Sequence, residues 1–115
     1  MPFIDSSKLE GREIQPNLIM RRLISGDPEE QKTALASAKL RIGELELRPG
    51  GSIGPHGHTD HDEAMIVIQG EVEITLGDQV QKLSPGQAAL APANLAHIIA
   101  NRGSTMAKCL IISHR

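Results

Sequence analysis

The sequence predicts an all-β domain, a small closed antiparallel β-barrel or a sandwich rolled toward one, and two observations point there. Apolar and polar residues alternate with period two through much of the chain, and turn-forming Gly, Pro, Asn and Asp punctuate that alternation at short intervals. Length sets the scale: 115 residues make one compact domain with one core. Phe3 is the only aromatic residue, so that core has to be aliphatic.

Taken in order, residues 1–17 are polar and read as an irregular N-terminal segment or arm, with a single barrel domain over 18–115. Leu18 to Ile24 reads as a first strand, ended by Ser25, Gly26, Asp27 and Pro28. Glu29 to Ala38 has some local helix propensity but passes into the alternation at Lys39, so it reads as loop and then strand. In that strand the apolar positions are even at Leu40 and Ile42 but odd at Leu45 and Leu47. The phase slips at Gly43, which predicts a β-bulge and a kink there. Pro49, Gly50 and Gly51 close the strand. Glu63 opens the next alternation, with Glu63, Met65 and Val67 on one face and Ala64, Ile66 and Ile68 on the other. Glu71 to Leu76 and Gln79 to Leu83 flank Gly77 and Asp78, a two-residue loop suited to a tight hairpin. Ser84, Pro85 and Gly86 form a turn, and Gln87 to Ala91, His97 to Asn101 and Met106 to Ser113 complete about eight strands. Closing them on one another protects the sheet edges.

Charge and composition exclude several functions. Twelve Lys and Arg stand against fourteen Asp and Glu, a net charge of −2, so no positive field is available to hold a phosphate backbone. Trp and Tyr are absent, which removes the stacking platforms that unpaired bases need. Nucleic acid is therefore not an expected partner. The apolar runs are far shorter than a membrane span, and the first residues do not read as a leader, so the expectation is a cytoplasmic protein with no membrane partner. The single cysteine, Cys109, lies in an apolar alternation and reads as a buried, inert thiol.

The informative stretch runs from Gly50 to Gly70. His56 and His58, two residues apart, would share one face of a strand and present two imidazoles side by side. Glu63 shares a face with Met65 and Val67, where a carboxylate is costly to bury unless a cation or hydrogen bonds meet it. A second stretch, from Gly86 to Asn101, holds His97 alone among apolar residues.

These stretches resemble the two motifs of the cupin superfamily. The first reads Gly50, five residues, His56, one residue, His58, four residues, Glu63, six residues, Gly70. The second reads Gly86, five residues, Pro92, one residue, Asn94 where glycine is usual, two residues, His97, three residues, Asn101. Asn tolerates a positive φ better than other non-glycine residues, so the turn after Pro92 can survive the change. The 15 residues between the motifs match the short spacing of small single-domain bacterial cupins.

The resemblance implies a double-stranded β-helix, or jelly roll, with His56, His58, Glu63 and His97 as metal ligands at the base of a pocket. Three imidazoles and a carboxylate suit one divalent transition metal ion, Fe, Mn, Ni, Cu, Co or Zn, and affinity order alone does not choose among them. His61 either faces the pocket or sits in water on the loop Thr59 to Asp62; the loop, or a role supporting a ligand from behind, is favoured. Asp60 and Asp62 read as solvated loop carboxylates, with a ligand role for Asp62 left open. Met65 and Val67 are expected to line the cavity, although core packing explains both equally well, and His114 to be solvated.

On this reading the chain is a metal-dependent, dioxygenase-like enzyme acting on a small oxygen-rich molecule; the alternative is a non-catalytic binding or sensing module. Sugar-epimerase cupins rely on a tyrosine, which this chain lacks, and thiol dioxygenases usually lack the motif glutamate, present here as Glu63. The resemblance also implies a homodimer, with Leu18 to Ile24 as a candidate for strand exchange or edge pairing.

Overall fold

A computed structural model describes residues 3–58 and 60–114. Met1 and Pro2 of the expected arm, Thr59 of the loop before Glu63, and Arg115 at the end of the expected domain lie outside the described residues. Among the described residues the alternating segments form eleven strands: β1 (Arg12–Gln15), β2 (Leu18–Ser25), β3 (Leu35–Ala36), β4 (Leu40–Leu47), β5 (Ser52–His56), β6 (Glu63–Gln69), β7 (Val72–Leu76), β8 (Gln79–Leu83), β9 (Ala88–Ala91), β10 (His97–Ala100) and β11 (Ala107–His114). They build a seven-stranded sheet in the order β1-β2-β4-β11-β6-β9, with β3 beside β2, and a four-stranded sheet in the order β5-β10-β7-β8. All pairings are antiparallel except β2 with β3.

The period-two pattern decides which side chains meet between the sheets. Along β11 the residues Ala107, Cys109, Ile111 and Ser113 are buried, and each pairs with an inward residue on its neighbours: Cys109 with Leu45 and Val67, Ile111 with Gly43 and Met65. Leu18, Leu47, Val72, Ile74, Leu83 and Ile99 join them in one aliphatic core. The core does without an aromatic ring, since Phe3 is 82% exposed. The expected hairpin at Gly77 and Asp78 joins β7 to β8, with Gly77 at φ 59°, where a side chain would be strained. Cys109 is fully buried, as expected, and burial pushes its thiol up to about 12. His114 is exposed at the end of β11.

Three expectations need correction. Residues 1–17 are not wholly irregular: a 3₁₀ turn over Ser6–Lys8 precedes β1, which pairs with β2 across Asn17 at φ 65°. The polar sequence of β1 hides this strand because β2, rather than its own burial, supplies its partner. β4 carries no bulge at Gly43, for its register with β11 is unbroken from Leu40 to Leu47. Leu40 and Ile42 face the outer side of the sheet instead, and the extra residue is Leu23 on β2, where Arg22 pairs with Gly43 but Ile24 with Ile42. β2 is also no edge strand, since β1 and β4 occupy both its sides.

The outer face of the larger sheet mixes charge and apolar surface. Arg21 reaches Glu46 at 3.0 Å and Glu44 at 3.8 Å, and Lys108 also lies 3.8 Å from Glu44. Farther along, Leu40, Ile68 and Leu90 are exposed.

Candidate metal centre

Four potential ligands come from both sheets. His56 ends β5 and His97 begins β10, and the two are register partners in the smaller sheet, with ring centroids 4.2 Å apart. Glu63 begins β6 in the larger sheet and faces them across the interior. Gly54 lets β5 come this close to β10: a Cβ there would stand 2.4 Å from the carbonyl oxygen of His97, and its φ of 105° excludes other residues in any case. His58 lies just past β5, not within it, so the expected strand alternation does not place it. A backbone hydrogen bond from Asn94 N to the His58 carbonyl, 2.6 Å, pins that loop, and Asn94 takes the left-handed conformation expected of it, φ 70°.

One donor atom from each of His56, His58, Glu63 and His97 falls within 4.8 Å of all the others. Glu63 Oε1 is 3.2 Å from His97 Nε2 and 4.0 Å from His56 Nε2, and Oε2 is 3.1 Å from His58 Nε2. The last contact is short but out of line for a hydrogen bond, which leaves the buried His58 Nε2 without a partner. Burial, and then the adjacent His97 ring, hold the His56 imidazole below its ordinary value against the opposing pull of Glu63. Its neutral form, with a free lone pair, therefore predominates at neutral pH. A buried carboxylate among converging imidazoles, two of them with a buried nitrogen that has no hydrogen-bond partner (His58 Nε2 and His97 Nδ1), is a donor set that a divalent cation satisfies. The residues fit the implied metal.

The remaining sequence candidates separate from this group. His61 stacks on His58 with ring centroids 4.2 Å apart and points Nδ1 at Asp60 Oδ1, 2.7 Å away, so it lies behind a donor and outside the cluster. That contact holds the Asp60 carboxyl below its ordinary value. Asp62 is exposed and accepts the Ala93 amide at 2.9 Å, tying the two motif loops together rather than joining the donor set. Met65 and Val67 do not line the cavity. They are 0% and 1% exposed, one and two steps deeper along the inward face of β6, and they pack in the aliphatic core.

The cavity beside the cluster has a volume of about 150 Å³ and walls formed by Met20, Leu45, Ile53, Ile99 and Ile111. A space of that order takes a molecule of about six heavy atoms. Sequence reasoning missed its polar wall: Arg22, Arg41 and Ser113 line it as well. Adjacent arginines on β2 leave the inward one undecided, and Arg41 sits where the expected bulge would have reversed its face. Register with a neighbouring strand is the signal that settles both, and a single chain does not print it.

Residues 43–113, more than half of the chain, match the cupin domain family, and the chain belongs to it. Germin-like protein 1 of Brassica napus is 33% identical over 86 residues, 70% of this chain and 42% of that protein. Tetracenomycin polyketide synthase protein TcmJ of Streptomyces glaucescens is 28% identical over 67 residues, 58% of this chain and 45% of its own length. The chain spans less than half the length of the curated relatives it matches. Among solved structures, KdgF from Halomonas aligns with a TM-score of 0.82 at 19% identity, over 99% of this chain and 93% of that one. A protein described as a predicted oxalate decarboxylase from Thermotoga maritima aligns at 0.81 and 21% identity, over 97% of each chain. No helix among the described residues is long and apolar enough to cross a membrane.

Proposed function

We propose that this cupin holds one divalent transition metal ion on His56, His58, Glu63 and His97 and acts as a metal-dependent, dioxygenase-like enzyme on a small oxygen-rich molecule. The observation that carries the reading is the donor cluster itself, four ligating atoms within 4.8 Å of one another beside a cavity sized for a compact molecule. When bound, such an ion supplies Lewis-acid polarisation of substrate oxygens and, for a redox metal, a site for dioxygen. The chain's own residues set the rest. His56 and His97 are held in register by β5 and β10, and His58 by the Asn94 amide. His61, stacked on His58, orients that ring from behind. Two structural neighbours, a predicted oxalate decarboxylase and the polyketide cyclase RemF of Streptomyces resistomycificus, support small-molecule chemistry on this fold.

A second reading, a non-catalytic binding or sensing module, is favoured by one observation. Apart from the donor cluster, the described cavity wall offers only guanidinium, hydroxyl and aliphatic groups, none a general base at neutral pH. Self-association as a homodimer belongs to both readings.

Elemental analysis of the untagged protein beside His56→Ala/His58→Ala tests the site. Near-stoichiometric metal that disappears in the double variant is the expected result. Metal content equal in both proteins overturns the ligand assignment. Metal-dependent consumption of dioxygen or of an oxo acid, diketone or oxalate then separates an enzyme from a binder, which would show ligand-dependent thermal shifts without product.

A further inference from the structure

The cavity wall opposite the imidazoles is cationic, and its cations are only partly answered. Arg41, Ser113 and Glu63 lie in one row across the inner face of β4, β11 and β6, since Ser113 pairs with Arg41 on one side and with Glu63 on the other. Adjacent strands stand about 4.8 Å apart, so this row sets the Arg41 position about 10 Å from that of Glu63. Arg22 stands one row away, opposite Gly43. The missing side chain of Gly43 makes room for it: a Cβ there would be 2.8 Å from Arg22 Nη1.

Both guanidiniums share a single anion, Glu30, from the segment between β2 and β3. Arg22 Nε donates to Glu30 Oε2 at 3.0 Å, and Arg41 Nη2 is 3.6 Å from Oε1, which already accepts the Ser25 hydroxyl at 2.7 Å. Arg41 Nε is buried and has no hydrogen-bond partner. The Arg41 side chain is nonetheless 40% exposed, so its terminal N–H groups, rather than Nε, are the ones an incoming anion can reach. Two arginines against one glutamate leave an excess positive charge. A divalent ion on three neutral imidazoles and one carboxylate would add another at the far side of the same small space.

Resting on the reading that this cavity holds a metal-bound small molecule, we propose that Arg22 and Arg41 form a carboxylate-recognition pair, and that the substrate is a compact oxo or hydroxy acid. Its carboxylate faces the arginines while its second oxygen function faces His56, His58, Glu63 and His97. The cavity volume, about 150 Å³, suits an acid of roughly three or four carbons. Neutral diketones bring no charge to the two guanidiniums, extended ring systems exceed the volume, and both are the poorer fit.

Calorimetric titration of the metal-loaded protein with pyruvate and with its neutral methyl ester isolates the carboxylate's charge. The parent is expected to bind the acid at least about tenfold more tightly than the ester, as charged hydrogen bonds imply. Arg41→Gln is expected to erase that preference while leaving ester affinity and metal content unchanged, and Arg41→Lys to restore it in part, because lysine keeps the charge but loses the fork. Gly43→Ala gives a second route. Its new methyl displaces the flexible tips of Arg22 and Met20 rather than backbone, and it is expected to weaken the acid alone. Equal affinity for acid and ester in the parent, no acid binding at millimolar concentration, or a preference that survives Arg41→Gln overturns the assignment. A protein that takes up no metal defeats the reading of the metal centre instead, and the same acid and ester titration of that metal-free protein still decides the role of the arginines.

Discussion

Asn101→Ala separates what holds the second motif together from what would bind metal in it. Asn101 is 2% exposed, and its side chain is fully used: Nδ2 donates to the carbonyls of Leu47 and Thr105, both at 2.8 Å, and Oδ1 accepts the Gly103 amide at 2.9 Å. Its backbone also exchanges hydrogen bonds with Gly50 and Gly51, so it fastens the end of β10 to the turn that opens the first motif. Alanine removes three hydrogen bonds, one of them to the carbonyl of Leu47, a residue with 0% exposure. At about 1 kcal/mol for each neutral bond, the loss comes to about 3 kcal/mol. For a domain of this length that is a fall in Tm of about 12 °C. Urea titration followed by far-ultraviolet circular dichroism measures it, since the chain has no Trp or Tyr to report by fluorescence. A loss below about 1 kcal/mol would refute the accounting. A folded variant stripped of metal as completely as His97→Ala would refute the claim that Asn101 acts on the frame alone.

Two further outcomes follow from charge and burial. Burial pushes the Glu30 carboxyl up, but hydrogen bonds from Ser25 and Arg22 and the charges of Arg22 and Arg41 together bring it below its ordinary 4.5. Its contribution is therefore full above pH 4.5 and lost as pH falls through the depressed folded value. Urea midpoints of the parent should drop more steeply below pH 4.5 than those of Glu30→Gln, and parallel curves would show that Glu30 is not held by this pairing. Cys109, with no exposure and a thiol pushed up to about 12, should be silent toward a disulfide reagent at pH 8 and react fully once urea unfolds the chain. Rapid labelling of the native protein would contradict that burial.

The parts of this structure that could be read in advance are those where one residue's chemistry is enough. Alternation put Glu63 on an inward face, Gly77 marked a hairpin, and Asn94 accepted a positive φ after Pro92. The motif spacing named four donors that the fold then brings together. What escaped depends on neighbours. β1 is a strand because β2 pairs with it, and the slip in apolar phase near Gly43 reflects two outward residues, Leu40 and Ile42, rather than a bulge in β4. The inward face of Arg22 and Arg41 is decided by register with neighbouring strands, which the sequence does not carry. Met65 and Val67 share the face of Glu63 but lie below the cavity floor, a matter of depth that parity does not encode.

β11 lies between β4 and β6, although it follows both in the chain. The centre of the larger sheet is thus filled last, with residues 48–106 made after β4 before its second partner begins, β2 holding its other edge meanwhile. At ribosomal speeds of about 5–20 residues per second, β4 and β6 spend seconds as neighbours of a gap, each presenting an unpaired edge. The hairpin of β7 and β8 has no such wait, because its two strands are separated by Gly77 and Asp78 alone. The pairing of Glu63 with Ser113 therefore waits on β11, although β1, β2 and β4 of the same sheet are made first.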